Sequence, residues 1–310
     1  MSYRQIPLAR ERSDWLKQRT LGIGGSDVAA IVGCSPWRTA FQVWEDKMGL
    51  SEPQKETGAM HWGTALEAPI RQVYADATGL TVTKPETMFQ SVEHPFMIAN
   101  LDGIASDGRL VEIKTASRAA EWGQAGTDEI PDHYLTQVQH YMAVMGATRT
   151  DVAVLIAGND FRIYTVESDP ELQAQLIDME KDFWSLVQTG TPPDPTRSEE
   201  AARKYREATA KKIAEASGPA VSAWQMLCAI RRKISDLKEE EDRMKLFLMD
   251  EMKDSVSLKF QGQTIASWSL PSTRKTVDSA RLKKERPDVY AAYLRESAPA
   301  RTFRIYEPKE

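Results

Sequence analysis

Through residue 190 the apolar positions switch between a spacing of three to four residues and strict alternation, and each switch marks a change of element. The stretch "SDWLKQRTLGIGGSDVAAIVGCSPWRTAFQVWEDKMG" predicts a helix, a glycine turn, a short helix opening at Ser26 or Asp27, and another helix from Thr39. Leu66, Ile70, Val73 and Tyr74 lie at helical spacing in "TGAMHWGTALEAPIRQVYADATGL", which closes on Gly79 and places Glu67 on a helix. Extended segments follow in "TVTKPETMFQ", "FMIANLDGIAS" and "RLVEIKT", with Asp107-Gly108 as the hairpin turn between the last two. "DHYLTQVQHYMAVMG" predicts a helix closed by Gly146, "TDVAVLIAG" and "FRIYTVE" a hairpin around Asn159, and "PELQAQLIDMEKDFWSLVQTG" another helix. Helices between paired strands predict an α/β core.

"TPPDP" at residues 191–195 interrupts this order and sets the expected boundary between a domain at 1–195 and an extension at 196–310. From Val221 to Met252 a long helix carries Leu227, Ile230, Ile234, Leu237, Met244 and Leu248 in alternating steps of three and four, with Glu241 at a position that should be apolar. The expectation is a helix packed on its own protein rather than a coiled coil between chains. "SVSLKF" and "TIASWSL" form a hairpin, then come a helix from Asp278 and a last strand "RTFRIY", making the extension α+β.

Composition narrows the chemistry. The 310 residues, 41% hydrophobic, suffice for one α/β core with an appended region. No stretch has the apolar length of a membrane span, and "MSYRQIPLARERSDW" lacks an apolar signal core, so a cytoplasmic protein without membrane attachment is expected. Cys34 and Cys228 stand far apart, which argues against a disulfide framework and against a cysteine-held zinc or iron–sulfur cluster. A metal here needs oxygen ligands or His. The net charge of -5 does not exclude nucleic acid if the cations cluster, and "STRKTVDSARLKKER" (272–286) holds six Lys or Arg against two acids.

The sharpest chemistry lies in "LVEIKT". Leu110, Val111 and Ile113 define a strand on which Glu112 and Lys114, two apart, share a face. Folding the hairpin brings Asp102 of "LDG" beside them. Two carboxylates with the Ile113 carbonyl between them make an all-oxygen site suited to Mg²⁺ or Mn²⁺. Such an ion lowers the pKa of a bound water and neutralises charge on a phosphate, while Lys114 orients the nucleophile or assists its deprotonation. Asp with Glu-x-Lys at a loose gap occurs by chance about once in a chain of this length, and a surface ion pair on an edge strand is the plain alternative. Glu67 can add a ligand from its helix. In "QVQHY", Gln137 and Tyr141 lie four apart on one helix face, where the Gln amide can reach a phosphate oxygen or a water. His61 stays unassigned.

Taken in order, "WLKQRTLGIGGSDVAAIVGCSPW", "GTALE", "LDG", "VEIKT" and "QVQHY" resemble the YqaJ-type phage recombinases, relatives of lambda exonuclease among the restriction-endonuclease-like (PD-D/E-x-K) nucleases. The resemblance covers roughly residues 10 to 190. It implies a restriction-endonuclease-like core with a central mixed sheet flanked by helices. The implied activity is Mg²⁺-dependent 5′ to 3′ hydrolysis of duplex DNA from double-strand ends, leaving a 3′ single strand for an annealing protein. By position, Asp102 and Glu112 are the metal carboxylates, and Glu67 adds a ligand directly or through water. Lys114 is the catalytic lysine, Gln137 supports the site, and Arg19 and Ser26 receive the 5′ phosphate, with Tyr141 on the DNA-binding side. Ser26 opening a helix fits phosphate binding and also a plain N-cap. Relatives often have Pro before the catalytic Asp, where this chain has Leu101. The resemblance also implies a homotrimer and a phage- or prophage-encoded protein in a bacterial cytoplasm. An endonuclease on the same fold and a DNA-end-binding module without catalysis remain alternatives. A Cas4-like nuclease is disfavoured, because two cysteines cannot hold a four-cysteine cluster.

Overall fold

The computed structural model describes residues 3–9, 11–51, 57–206, 213–270, 276–295 and 303–306. The chain divides into two compact units, Met1–Lys204 and Tyr205–Glu310. The first opens with β1 (Tyr3–Pro7), α1 (Arg12–Arg19), β2 (Ile23–Gly24), α2 (Gly25–Ile31), α3 (Ala40–Lys47) and α4 (Gly58–Thr78). Strands β3 (Val82–Thr83), β4 (Thr87–Ser91), β5 (Met97–Ala99), β6 (Gly103–Ala105) and β7 (Leu110–Ala116) follow, then α5 (Asp132–Met145), β8 (Arg149–Ile156), β9 (Asp160–Glu167), α6 (Pro170–Thr189) and α7 (Ser198–Lys204).

Two mixed sheets result, ordered β1-β4-β5-β2 and β3-β6-β7-β8-β9, with helices packed on them. Each sheet has one parallel pair, β2 with β5 in the first and β7 with β8 in the second, the latter joined through α5, as a parallel connection requires. The predicted segment "FMIANLDGIAS" breaks in two: β5 belongs to the first sheet and β6 to the second. Asn100, Leu101 and Asp102 make the passage between them, so Asp102 stands where the sheets diverge. Leu101 is buried in the main apolar cluster.

Both faces of β7 are covered. Val111 and Ile113 join Ile70 and Tyr74 of α4, while Leu110 joins Val138, Tyr141 and Met142 of α5. Glu112 and Lys114 follow Leu110 by alternation, so the charged face of "LVEIKT" lies beneath α5 and not toward solvent. This excludes the exposed-edge ion pair. Pairing of β6 with β7 ends at Gly103↔Val111, leaving the edge of β7 open from residue 112 on.

The first unit runs past "TPPDP" to Lys204 rather than ending at 195. Glu200 of α7 explains the shift: fully buried, it accepts from the Thr39 hydroxyl at 2.6 Å and from the Thr196 amide at 2.9 Å. A buried carboxylate needs such partners, and they tie α7 to the N-cap of α3.

The second unit contains α8 (Gly218–Met252), a hairpin of β10 (Ser257–Phe260) and β11 (Gln263–Ser267), α9 (Ser279–Glu285) and α10 (Pro287–Ala292). Asp278 caps α9 as expected, and α10 is an addition. Phe303–Tyr306, the described part of the expected last strand, pairs with nothing in a sheet. The α8 stripe departs from expectation, since Ile230, Ile234, Leu237 and Met244 are exposed by 51%, 47%, 63% and 58%. A 35-residue helix extends about 50 Å, several times the length of the four- and five-residue hairpin strands that follow it. Arg274 and Lys275 of the basic stretch lie outside the described residues, and Arg281 pairs with Glu285 on α9.

Candidate active site

The open edge of β7 faces a cavity of about 760 Å³. Its wall includes Asp102, Glu112, Ile113, Lys114, Gln137, Tyr141 and Glu67 together with Arg19 and Ser26, so every residue singled out for the site borders one cavity. His61 does not; its ring packs edge-on against Trp62 at 5.6 Å.

At the carboxylate end, the Ile113 amide donates to Asp102 Oδ2 at 3.0 Å. The N–H and C=O of one strand residue point to the same side, so the Ile113 carbonyl also faces Asp102 rather than β8. Lys114 Nζ donates to Glu112 Oε1 at 2.5 Å and to Gln137 Oε1 at 3.2 Å, and Gln137 Nε2 donates to Glu112 Oε1 at 2.6 Å. Glu112 is 3% exposed. Burial, then the Asp102 charge, pushes its carboxyl up to about 8 against the pull of Lys114. Asp102 is raised by burial as well, although Lys114 and the Ile113 amide work against it. Burial disfavours the Lys114 ammonium, yet Glu112 and Asp102 outweigh it and raise its pKa.

Glu67 sits differently. Arg71 and Lys84 both donate to its Oε1 at 2.5 Å, and Arg71 also donates to the Asp102 carbonyl at 2.9 Å. Arg71 lies one turn after Glu67 on α4, a spacing legible in the sequence, whereas nothing local links Lys84 to a helix 17 residues before it. Among the described residues no three His, Cys, Asp or Glu side chains gather as a complete metal site. What remains is two under-compensated carboxylates and a carbonyl. These hard oxygen donors suit a divalent cation that keeps waters or substrate oxygens in its other positions.

At the other end, Arg19 donates to Ser26 Oγ at 2.9 Å. The N-cap of α2 is Gly24, not Ser26, so the hydroxyl is left for Arg19 and the cavity. Asp27, 2% exposed, accepts from Lys47 Nζ at 2.6 Å and lies 3.4 Å from Arg38 and 3.8 Å from Arg19. Burial opposes its charge, but Lys47, Arg19 and Arg38 together hold its carboxyl well below the ordinary range. Lys47 also donates to the Arg19 carbonyl at 2.7 Å, fixing the end of α1. Sequence reading passed over Asp27 and Lys47. Asp27 accepts the Gly24 amide at 3.2 Å, half of a capping box, but glycine has no side chain to complete the pattern, and Lys47, 20 residues away, offered no local signal either.

The two ends meet through Gly25 and α5. A Cβ on Gly25 would lie 2.6 Å from the Tyr141 ring and 2.9 Å from Gln137 Cγ, so glycine lets α2 press onto the helix face that serves Glu112. Gln137 Nε2 donates to the Tyr141 hydroxyl at 3.2 Å. Burial, then Glu112, keeps that hydroxyl protonated. Behind them His140, fully buried, joins Glu180 of α6 at 2.9 Å and the Ile98 carbonyl of β5 at 3.0 Å. Burial disfavours the imidazolium, but Glu180 raises its pKa, and the pair pins α5 to both neighbours.

This fold and site carry the sequence signature of a known class: residues 14–150 match the YqaJ-like viral recombinase domain. The chain belongs to the YqaJ family, since it is 32% identical over 299 residues to Uncharacterized protein YqaJ of Bacillus subtilis (strain 168), with 92% of each chain covered. Among solved structures it is similar to an alkaline exonuclease, LHK-Exo, from Laribacter hongkongensis, at 22% identity and a TM-score of 0.47, covering 58% of this chain and 94% of that one. It is also similar to a putative exonuclease from Eubacterium rectale, at 14% identity and a TM-score of 0.40, covering 67% and 97%. No helix among the described residues is long and apolar enough to cross a membrane.

Proposed function

We propose that the chain is a divalent-metal-dependent deoxyribonuclease that enters at the ends of linear duplex DNA and hydrolyses one strand 5′ to 3′. The product is a 3′ single strand for an annealing protein. One observation carries this reading: a single cavity joins the Asp102, Glu112, Lys114 and Gln137 cluster to the Arg19–Ser26 pair, a carboxylate end for a metal and a cationic end for a terminal phosphate. Asp102, Glu112 and the Ile113 carbonyl would hold Mg²⁺, or Mn²⁺ in its place, with Glu67 acting through water because Arg71 and Lys84 occupy its Oε1. Bound there, the ion supplies positive charge to the phosphate under attack and acidity to the attacking water.

The chain's own groups do the rest. Glu112 and Asp102 favour the Lys114 ammonium, and in that form it orients by donation and offsets negative charge on the phosphate. Gln137 braces Glu112 and Lys114 with opposite ends of one amide. Arg19 and the Ser26 hydroxyl receive the 5′ phosphate, an arrangement charge-assisted hydrogen bonds favour. Family membership extends the proposal to a homotrimer acting with an annealing partner in a bacterial cytoplasm.

The test is digestion of linear duplex labelled separately at its 5′ and 3′ termini, with Mg²⁺ and with EDTA, beside a closed circle. Metal-dependent release of 5′ label with the circle intact is the expected result. A cut circle makes the protein an endonuclease, and tight end binding without cleavage makes it a DNA-end-binding module.

A further inference from the structure

Trp37 borders the same cavity as Arg19, Ser26 and Lys114, yet the residue is 61% exposed. The loop that carries it is built, not loose. Ser35 Oγ accepts the Trp37 amide at 3.3 Å and the Arg38 amide at 3.2 Å, and the Cys34 and Ser35 amides both donate to the Ala29 carbonyl. The indole stands edge-to-face against His133, with ring centroids 4.7 Å apart, and near Tyr134 at 6.2 Å. Tyr134 is already engaged, with the Lys114 ammonium 4.8 Å from its ring centre. Trp37 therefore offers a rigid aromatic surface to whatever enters.

We infer that Trp37 is a stacking platform for a nucleobase, that of the 5′-terminal nucleotide. The inference rests on the proposed exonuclease reading. With its 5′ phosphate at Arg19 and Ser26 and its 3′ phosphodiester at Asp102 and Glu112, that nucleotide spans the cavity, and its base must meet a wall. Every base has a flat π face, so an aromatic platform binds without reading sequence, as a processive or general nuclease requires. An indole held in place by its neighbours loses little freedom on stacking.

The test uses the full chain and its Trp37→Ala and Trp37→Phe variants on 5′-phosphorylated duplex ends. The terminal nucleotide is either normal or abasic for cleavage, and 2-aminopurine for fluorescence binding in EDTA. The wild type should quench 2-aminopurine and lose about 5- to 100-fold in KM on the abasic end. Trp37→Ala should show that higher KM on normal ends, no further abasic penalty, no quenching and a kcat within a few-fold, while Trp37→Phe retains most of both effects. An abasic penalty equal in wild type and Trp37→Ala overturns the inference. So does unchanged quenching, or a variant that alters only sedimentation and so marks Trp37 as a contact between copies. A wild type that quenches without cleaving removes the exonuclease and keeps the platform; one that cleaves without quenching does the reverse.

Discussion

Asp27 and Glu112 are buried alike, at 2% and 3% exposure, and they titrate in opposite directions. Desolvation is the largest influence on both and raises both. What differs is the count of neighbours. Asp27 faces Lys47, Arg38 and Arg19, whereas Glu112 shares Lys114 with a second carboxylate, Asp102. A carboxylate surrounded by surplus cations makes its end of the cavity receptive to an anion, and one short of cations makes its end receptive to a cation. The two ends of a phosphodiester substrate and its metal would ask for that polarity.

The comparison can be broken most severely at Lys114. Lys114→Ala should lower cleavage by about 10²–10⁴-fold while end binding in a gel-shift assay stays within a few-fold; equal loss of binding would make Lys114 a DNA anchor instead. Asp27→Asn leaves Lys47 buried without its counter-charge and should cost about 3–5 kcal/mol in denaturant unfolding. The pH sign follows from the depressed pKa. The Asp27 contribution is complete above its ordinary value of 3.8 and is lost as pH falls below it, so the variant should lack that part of the wild type's acid sensitivity.

Glu112 should behave in the opposite sense. Its carboxyl moves from 4.5 to about 8, so it favours folding below pH 4.5 and loses that advantage as pH rises through about 8. Without divalent ions, Glu112→Gln should match the wild-type Tm at pH 4 and exceed it at pH 9 by about 2–4 °C, the effect of about 1 kcal/mol. Mn²⁺ at 100 times its Kd should stabilise the wild type by about 2.7 kcal/mol and the variant by far less. The smallest effect is expected at the cationic rim. Arg19→Ala or Ser26→Ala should remove a roughly 10-fold preference for 5′-phosphorylated over 5′-hydroxyl ends, in line with the 1.5–3 kcal/mol of a hydrogen bond to a charged group. Equal wild-type rates on the two ends would remove the phosphate pocket.

Elements with local punctuation were legible in the sequence. Gly79 and Gly146 adopt the left-handed conformation that ends α4 and α5, and Gly108 turns the β6–β7 hairpin. Alternation in "LVEIKT" gave Glu112 and Lys114 a common face, but the sequence left that face to solvent or to a site. Burial under α5 decided it, because Gln137 and Tyr141 arrive from a helix 25 or more residues away. "FMIANLDGIAS" read as one strand, since no local pattern reports that its halves pair in different sheets.

By itself the sequence determined most of the order of elements, the candidate residues for a metal and a phosphate, and the resemblance to the YqaJ family, all properties of spacing and residue type. Tertiary structure decided what depends on counting charges across space. Glu67 is taken up by Arg71 and Lys84, Asp27 is locked to Lys47, and Lys114 is divided between Glu112 and Gln137. Coulomb energy falls with distance and rises with burial, and neither quantity is written along a chain.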